Sequence, residues 1–129
     1  MRVIRTDLAP APVAGAPYSQ AIAAAPGETI WVSGQVPVDP ATGQLVADEA
    51  GVQTAQSLAN IAAILEAAGA GLADVVKTTV FLTDMADFPA MNAIYASAFG
   101  DHAPARATVG VAALPLGARV EIEAVAVRG

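Results

Sequence analysis

Apolar residues recur at helical spacing in two stretches of the chain and alternate with polar ones in several others. From Gly51 to Ala68, Ala55, Leu58, Ile61, Ala62 and Leu65 fall three and four apart, which places them on one face of a helix. Gln53, Gln56, Asn60 and Glu66 fall mostly on other faces, and Gly69 and Gly71 end the run. A second helix is predicted after Asp87, a good N-cap, with Pro89 tolerated in the first turn. Its apolar stripe is Phe88, Met91, Tyr95 and Phe99, and Gly100 stops it. Between and around these helices the period drops to two. Ile30 to Val36 alternates, with Ile30, Val32 and Gly34 on one side and Trp31, Ser33 and Gln35 on the other. Val75 to Thr83 is rich in β-branched residues. Arg106 to Val109 and Arg119 to Val127 read as the last two strands, and residues 2–6 and 18–24 as the first two. Pro37 to Gly43 is dense turn punctuation. The order β-β-β-α-β-α-β-β predicts an α+β fold with both helices packed on one face of a sheet. At 129 residues, with no repeat and no linker, residues 1–129 read as a single domain.

Composition adds a constraint. Hydrophobic residues make up 55 % of the chain and charged residues only 14 %, more apolar than a typical soluble domain. Some of that surface is expected to be buried against other copies of the chain. There is no cysteine and one histidine, His102. Thiol nucleophiles, thiolate metal sites and His-rich metal clusters are therefore excluded. His102, in a loop, is expected to be exposed. A net charge of −6 with six Lys and Arg speaks against nucleic acid as a partner, because phosphates demand a basic surface. The uncharged run from Leu8 to Gly27 is broken by Pro10, Pro12, Gly15, Pro17 and Pro26. That is too interrupted for a secretion signal or a membrane span, so a cytoplasmic location is expected.

Several polar residues stand out against this background. Arg106 follows Pro104-Ala105 in an uncharged segment. Its guanidinium could hold a carboxylate with two parallel hydrogen bonds, or it could be a surface arginine. Glu121 and Glu123 share one strand face with Arg119, opposite Val120, Ile122, Ala124 and Ala126. That face is either simply wet or turns one glutamate into a pocket. Tyr18, in Pro17-Tyr18-Ser19-Gln20, either lines a pocket or sits half-buried with its hydroxyl wet. Gly34 after Ser33 marks a bulge or a close backbone approach to a ligand. Asn92, inside a helix where asparagine is a mediocre former, is either a pocket donor or a solvated residue.

Together these segments resemble the Rid family, the YjgF-type reactive intermediate deaminases, over almost the whole chain. The resemblance rests on Ala16-Pro17-Tyr18-Ser19-Gln20-Ala21, Val32-Ser33-Gly34-Gln35-Val36-Pro37, Asp39-Pro40-x-Thr42-Gly43 and Gln56-Ser57-Leu58-x-Asn60-Ile61. It continues through Asp74-Val75-Val76-Lys77-Thr78-Thr79-Val80-Phe81-Leu82, Met91-Asn92-x-x-Tyr95, Pro104-Ala105-Arg106, Leu114-Pro115 and Val120-Glu121-Ile122-Glu123-Ala124. It implies a chorismate-mutase-like fold, a mixed sheet backed by two helices. It also implies a homotrimer around a barrel-like centre, with active sites in clefts between subunits. The implied activity is hydrolysis of 2-imino acids or their enamine tautomers, such as 2-aminoacrylate and 2-iminobutyrate, to 2-keto acids and ammonia. No cofactor or metal is implied. By the same resemblance Arg106 holds the substrate carboxylate, Glu121 orients the attacking water and manages protons, and Tyr18, Ser33, Gly34, Asn92 and Thr108 line the pocket. Relatives often carry cysteine where Thr108 stands, and glycine where Ala16 precedes Pro17-Tyr18. Two other readings remain open at this point: a non-catalytic module that binds a small carboxylate, and an endoribonuclease or translation inhibitor.

Overall fold

The computed structural model describes residues 1–13 and 15–129. Its centre is a four-stranded sheet in the order β3-β8-β6-β7, built from β3 (Glu28–Gln35), β6 (Val75–Leu82), β7 (Ala105–Gly110) and β8 (Val120–Arg128). β8 runs antiparallel to both β3 and β6, while β6 and β7 are parallel. The sheet is therefore mixed. The parallel pair needs a crossover, which α2 (Phe88–Phe99) supplies; α1 (Ala50–Ala67) lies beside it. The predicted α+β layer, with both helices on one face of the sheet, is what the chain forms.

The core lies between that face and the helices. Leu58, Ile61 and Leu65 of α1 and Met91, Tyr95 and Phe99 of α2 meet Val32, Val80, Ile122 and Ala124 of the sheet. The predicted α2 stripe is buried, with Phe88 packed at the edge of the core; of the α1 stripe Leu58, Ile61 and Leu65 are buried, whereas Ala55 is exposed and Gln53, expected on another face, is buried and accepts from Arg119 N at 2.8 Å. The opposite face carries no helix. Register places Trp31, Val125, Lys77 and Ala105 in one row across it, Glu123, Thr79 and Ala107 in the next, and Glu121, Phe81 and Val109 in a third. Trp31 is 76 % exposed there, so a large apolar ring faces outward from the middle of a strand.

Two short hairpins flank the sheet. β1 (Arg2–Ile4) pairs with β2 (Ala21–Ala23), close to the two strands expected at that end. The segment joining them is clasped by one side chain. The Gln20 amide accepts from Thr6 N and donates to the carbonyls of Thr6, Ala9 and Pro10 at 2.8–3.2 Å. The Ser19 hydroxyl then ties this end to Ala103 O, and Ser19 pairs in parallel with Ala105 at the start of β7. β4 (Val38–Asp39) and β5 (Gln44–Leu45) form the second hairpin, whose first strand and turn read in sequence only as turn punctuation. Asn60 of α1 holds it by donating to Val38 O at 3.0 Å.

Three further local expectations are corrected. β3 is bulged between Val32 and Gln35, so Gln35 pairs with Ile122 and shares the core side with Val32; simple alternation puts it with Trp31. Asp87 does not cap α2. A 3-10 turn, Met85–Asp87, precedes the helix, and Asp84 accepts from Ala86 N at its start, while the Asp87 carboxylate reaches Arg119 at 3.3 Å. His102 is half-buried rather than exposed, with Nε2 2.6 Å from Val75 O and its ring against Phe99.

Candidate active site

Arg106 and Thr108 project from β7 on the helix-covered face, in register with buried Thr78 and Val80. β7 is the sheet's edge strand, so nothing carries the core past it and a cavity of about 440 Å³ opens there. The segment leading to β2 forms one wall with Val13, Ala16 and Tyr18; α2 forms another with Phe88 and Asn92. Phe88, Asn92 and Tyr95 stand four and then three residues apart, which aligns them on one helix face. Asn92 Oδ1 accepts from Arg106 Nη1 at 2.7 Å.

The guanidinium carbon of Arg106 lies 4.8 Å from the Tyr95 ring centroid and 5.5 Å from those of Tyr18 and Phe88. Burial lowers its pKa from the ordinary arginine value, and the neighbouring Tyr95 and Tyr18 oppose that shift. Tyr95 is fully buried, and its hydroxyl is 2.7 Å from Thr78 Oγ1. Burial raises its pKa, against the Thr78 hydrogen bond and the Arg106 charge. A guanidinium stays protonated and a phenol neutral at neutral pH, so the pair is a cation beside a neutral phenol. The Tyr18 hydroxyl accepts from Val13 N at 3.4 Å. Thr108 Oγ1 is shut from solvent with no hydrogen-bond partner among the described residues. Such an arrangement can receive a small anion: it offers one oriented cation, an amide that fixes it, and apolar walls.

Four of the seven residues singled out in sequence thus share the cavity: Tyr18, Asn92, Arg106 and Thr108. The other three lie elsewhere in the same chain. Glu121 pairs with Phe81. Phe81 is three residues from Thr78, the partner of Arg106, and an odd step along a strand points to the other face. Ser33 and Gly34 form the bulge beside Glu121. A Cβ at Gly34 would run into the Glu121 carboxylate, with its carboxyl carbon 2.9 Å away. Glycine at that position therefore makes room for a carboxylate on the uncovered face. Sequence reading missed Val13 and Phe88 as lining of the cavity, and Tyr95 as the ring beside Arg106. Phe88 and Tyr95 read as core stripe. Their spacing about Asn92 was the available signal.

The chain matches the family model described as Endoribonuclease L-PSP over residues 8–128. It is 51 % identical over 128 residues to a mouse protein named 2-iminobutanoate/2-iminopropanoate deaminase, covering 99 % of this chain and 92 % of that one. Among solved structures, the YjgF gene product of E. coli is 48 % identical, with all of both chains covered and a TM-score of 0.75. E. coli TdcF, solved with bound serine, is 42 % identical with the same coverage and TM-score.

Proposed function

The chain belongs to the Endoribonuclease L-PSP family, the YjgF-type proteins, and from that premise we propose that it hydrolyses 2-imino acids and their enamine tautomers to 2-keto acids and ammonia. The observation that carries this reading is Arg106: a half-buried guanidinium, oriented by Asn92 and walled by rings, on the edge of an apolar cavity. That is a receptor for a small carboxylate. The deaminase name of a relative at 51 % identity and the serine bound to TdcF both fit a ligand of amino-acid shape.

In this reading the substrate carboxylate pairs with Arg106, leaving the imine carbon in the cavity. The carbon is already electrophilic, so positioning a water suffices to start the reaction. Water adds to carbon as its proton passes to nitrogen. The resulting carbinolamine loses ammonia when its hydroxyl proton moves to the amine, and the C–N bond breaks. Glu121 is the group assigned to orient the water and relay these protons. Since Glu121, Ser33 and Gly34 lie on the face opposite Arg106, they serve a neighbour's cavity and not their own chain's. The uncovered face with Trp31, Phe81 and Val109 is the surface on which copies would meet, three around a common axis.

The test couples the protein to a threonine dehydratase and follows loss of 2-iminobutanoate. Arg106→Ala should lower kcat/KM by about a hundredfold or more, as truncating one partner of a buried charged contact does. A variant with wild-type turnover would overturn the role of Arg106. Tight keto-acid binding without turnover in the native protein would favour a binding module. The family description also names an endoribonuclease. A net charge of −6 and one cation in the cavity give a phosphate backbone little to hold, and no RNA cleavage is expected.

A further inference from the structure

Arg106 has no carboxylate partner among the described residues; the ion pairs present join Arg119 to Asp48 and Asp87. A half-buried cation without a counter-charge is costly unless something else solvates it. Here that work falls to one amide oxygen and three aromatic faces, and Tyr95 is the nearest ring, at 4.8 Å. A ring face attracts a cation through its quadrupole without accepting the N–H groups. A carboxylate in the same place would accept them, neutralise the charge and compete with any anionic ligand. Of the five donors a guanidinium carries, Nη1 is bound to Asn92.

Tyr95 is also fixed. It is fully buried in α2, its hydroxyl is anchored on Thr78 of β6, and its ring stacks 4.6 Å from Phe99. It does not line the cavity and so meets no ligand itself. We propose that Tyr95 is a positioning residue. Its ring holds Arg106 in place as an un-neutralised cation, leaving the outward donors free for a substrate carboxylate. This rests on the reading of the cavity as a carboxylate site.

The experiment measures binding of 2-oxobutanoate by calorimetry, alongside imine turnover, in Tyr95→Phe and Tyr95→Met. The phenylalanine variant keeps the ring and should bind within about threefold of wild type. The methionine variant keeps bulk without the ring, and should raise Kd and KM about tenfold while kcat changes little, in line with a partly desolvated cation–π contact. Methionine binding like wild type, or phenylalanine as weak as methionine, would overturn the proposal. If the methionine variant does not fold, Tyr95→Leu replaces it, with 2-oxobutanamide as a neutral control. Weakening confined to the carboxylate supports the proposal, and equal or no weakening of both ligands overturns it. A native protein that binds 2-oxobutanoate in this ring-dependent way yet hydrolyses no imine sinks the hydrolase reading alone. One that binds no keto acid sinks both.

Discussion

Thr108 carries a hydroxyl oxygen that is closed to solvent and has no hydrogen-bond partner among the described residues, two residues along β7 from Arg106. An unsatisfied buried hydroxyl is destabilising by about 1–3 kcal/mol. Thr108→Val keeps the shape and the β-branch and removes that liability. It should stabilise the free protein by about 1 kcal/mol, raising Tm by about 4 °C in a thermal melt; a lower Tm would show that the hydroxyl has a partner in solution. Sequence could single out Thr108 only through family resemblance, because a threonine in a β-branched run carries no signal of its own. Arg106 was legible as an isolated cation in uncharged sequence, and Asn92 as a poor helix former in a helix. Their 2.7 Å contact was not, since it depends on how α2 crosses the edge of the sheet. Tyr95 was hidden for the opposite reason. It satisfies the apolar stripe so well that periodicity explains it completely, and only the position of the guanidinium reveals a second role.

The bulge in β3 is the element that brings Gly34 against the Glu121 carboxylate. Gly34 has ordinary backbone angles available to any residue, so its need for glycine comes from the approach of Glu121 alone. Gly34→Ala should push the carboxylate aside, and a flexible side chain can yield without disturbing the strands. We expect kcat/KM to fall by about tenfold or more while Tm moves by only a few degrees; an unfolded variant would mean that the bulge itself cannot take a Cβ. The glycine announced the bulge in sequence, but alternation could not follow the chain through it. One extra residue reverses the sides of everything after it, which is how Gln35 comes to face inward. The β4–β5 hairpin escaped notice because strands of two residues contain no period to read. The start of α2 was misread because Asp84, three residues earlier, caps a 3-10 turn that sequence gives no reason to expect.

At the scale of the molecule, the excess of apolar residues predicted a surface for other copies, and the fold leaves one side of the sheet without a helix, with Trp31 76 % exposed on it. The same sheet stands between Arg106 and Glu121. Mixing Arg106→Ala and Glu121→Ala chains after dissociation should therefore restore activity that neither variant has. About a quarter of the sites would regain both groups, because each needs Arg106 from one variant and Glu121 from the other. Mixtures as inactive as their components would place both groups in one chain's site. The four-stranded sheet thus acts as a partition, and catalysis in this scheme is a property of the contact between copies. In that scheme specific activity should depend on protein concentration: dilution below the association threshold should turn the enzyme off without unfolding a single strand, because the sheet would keep Arg106 and Glu121 of one chain on opposite faces.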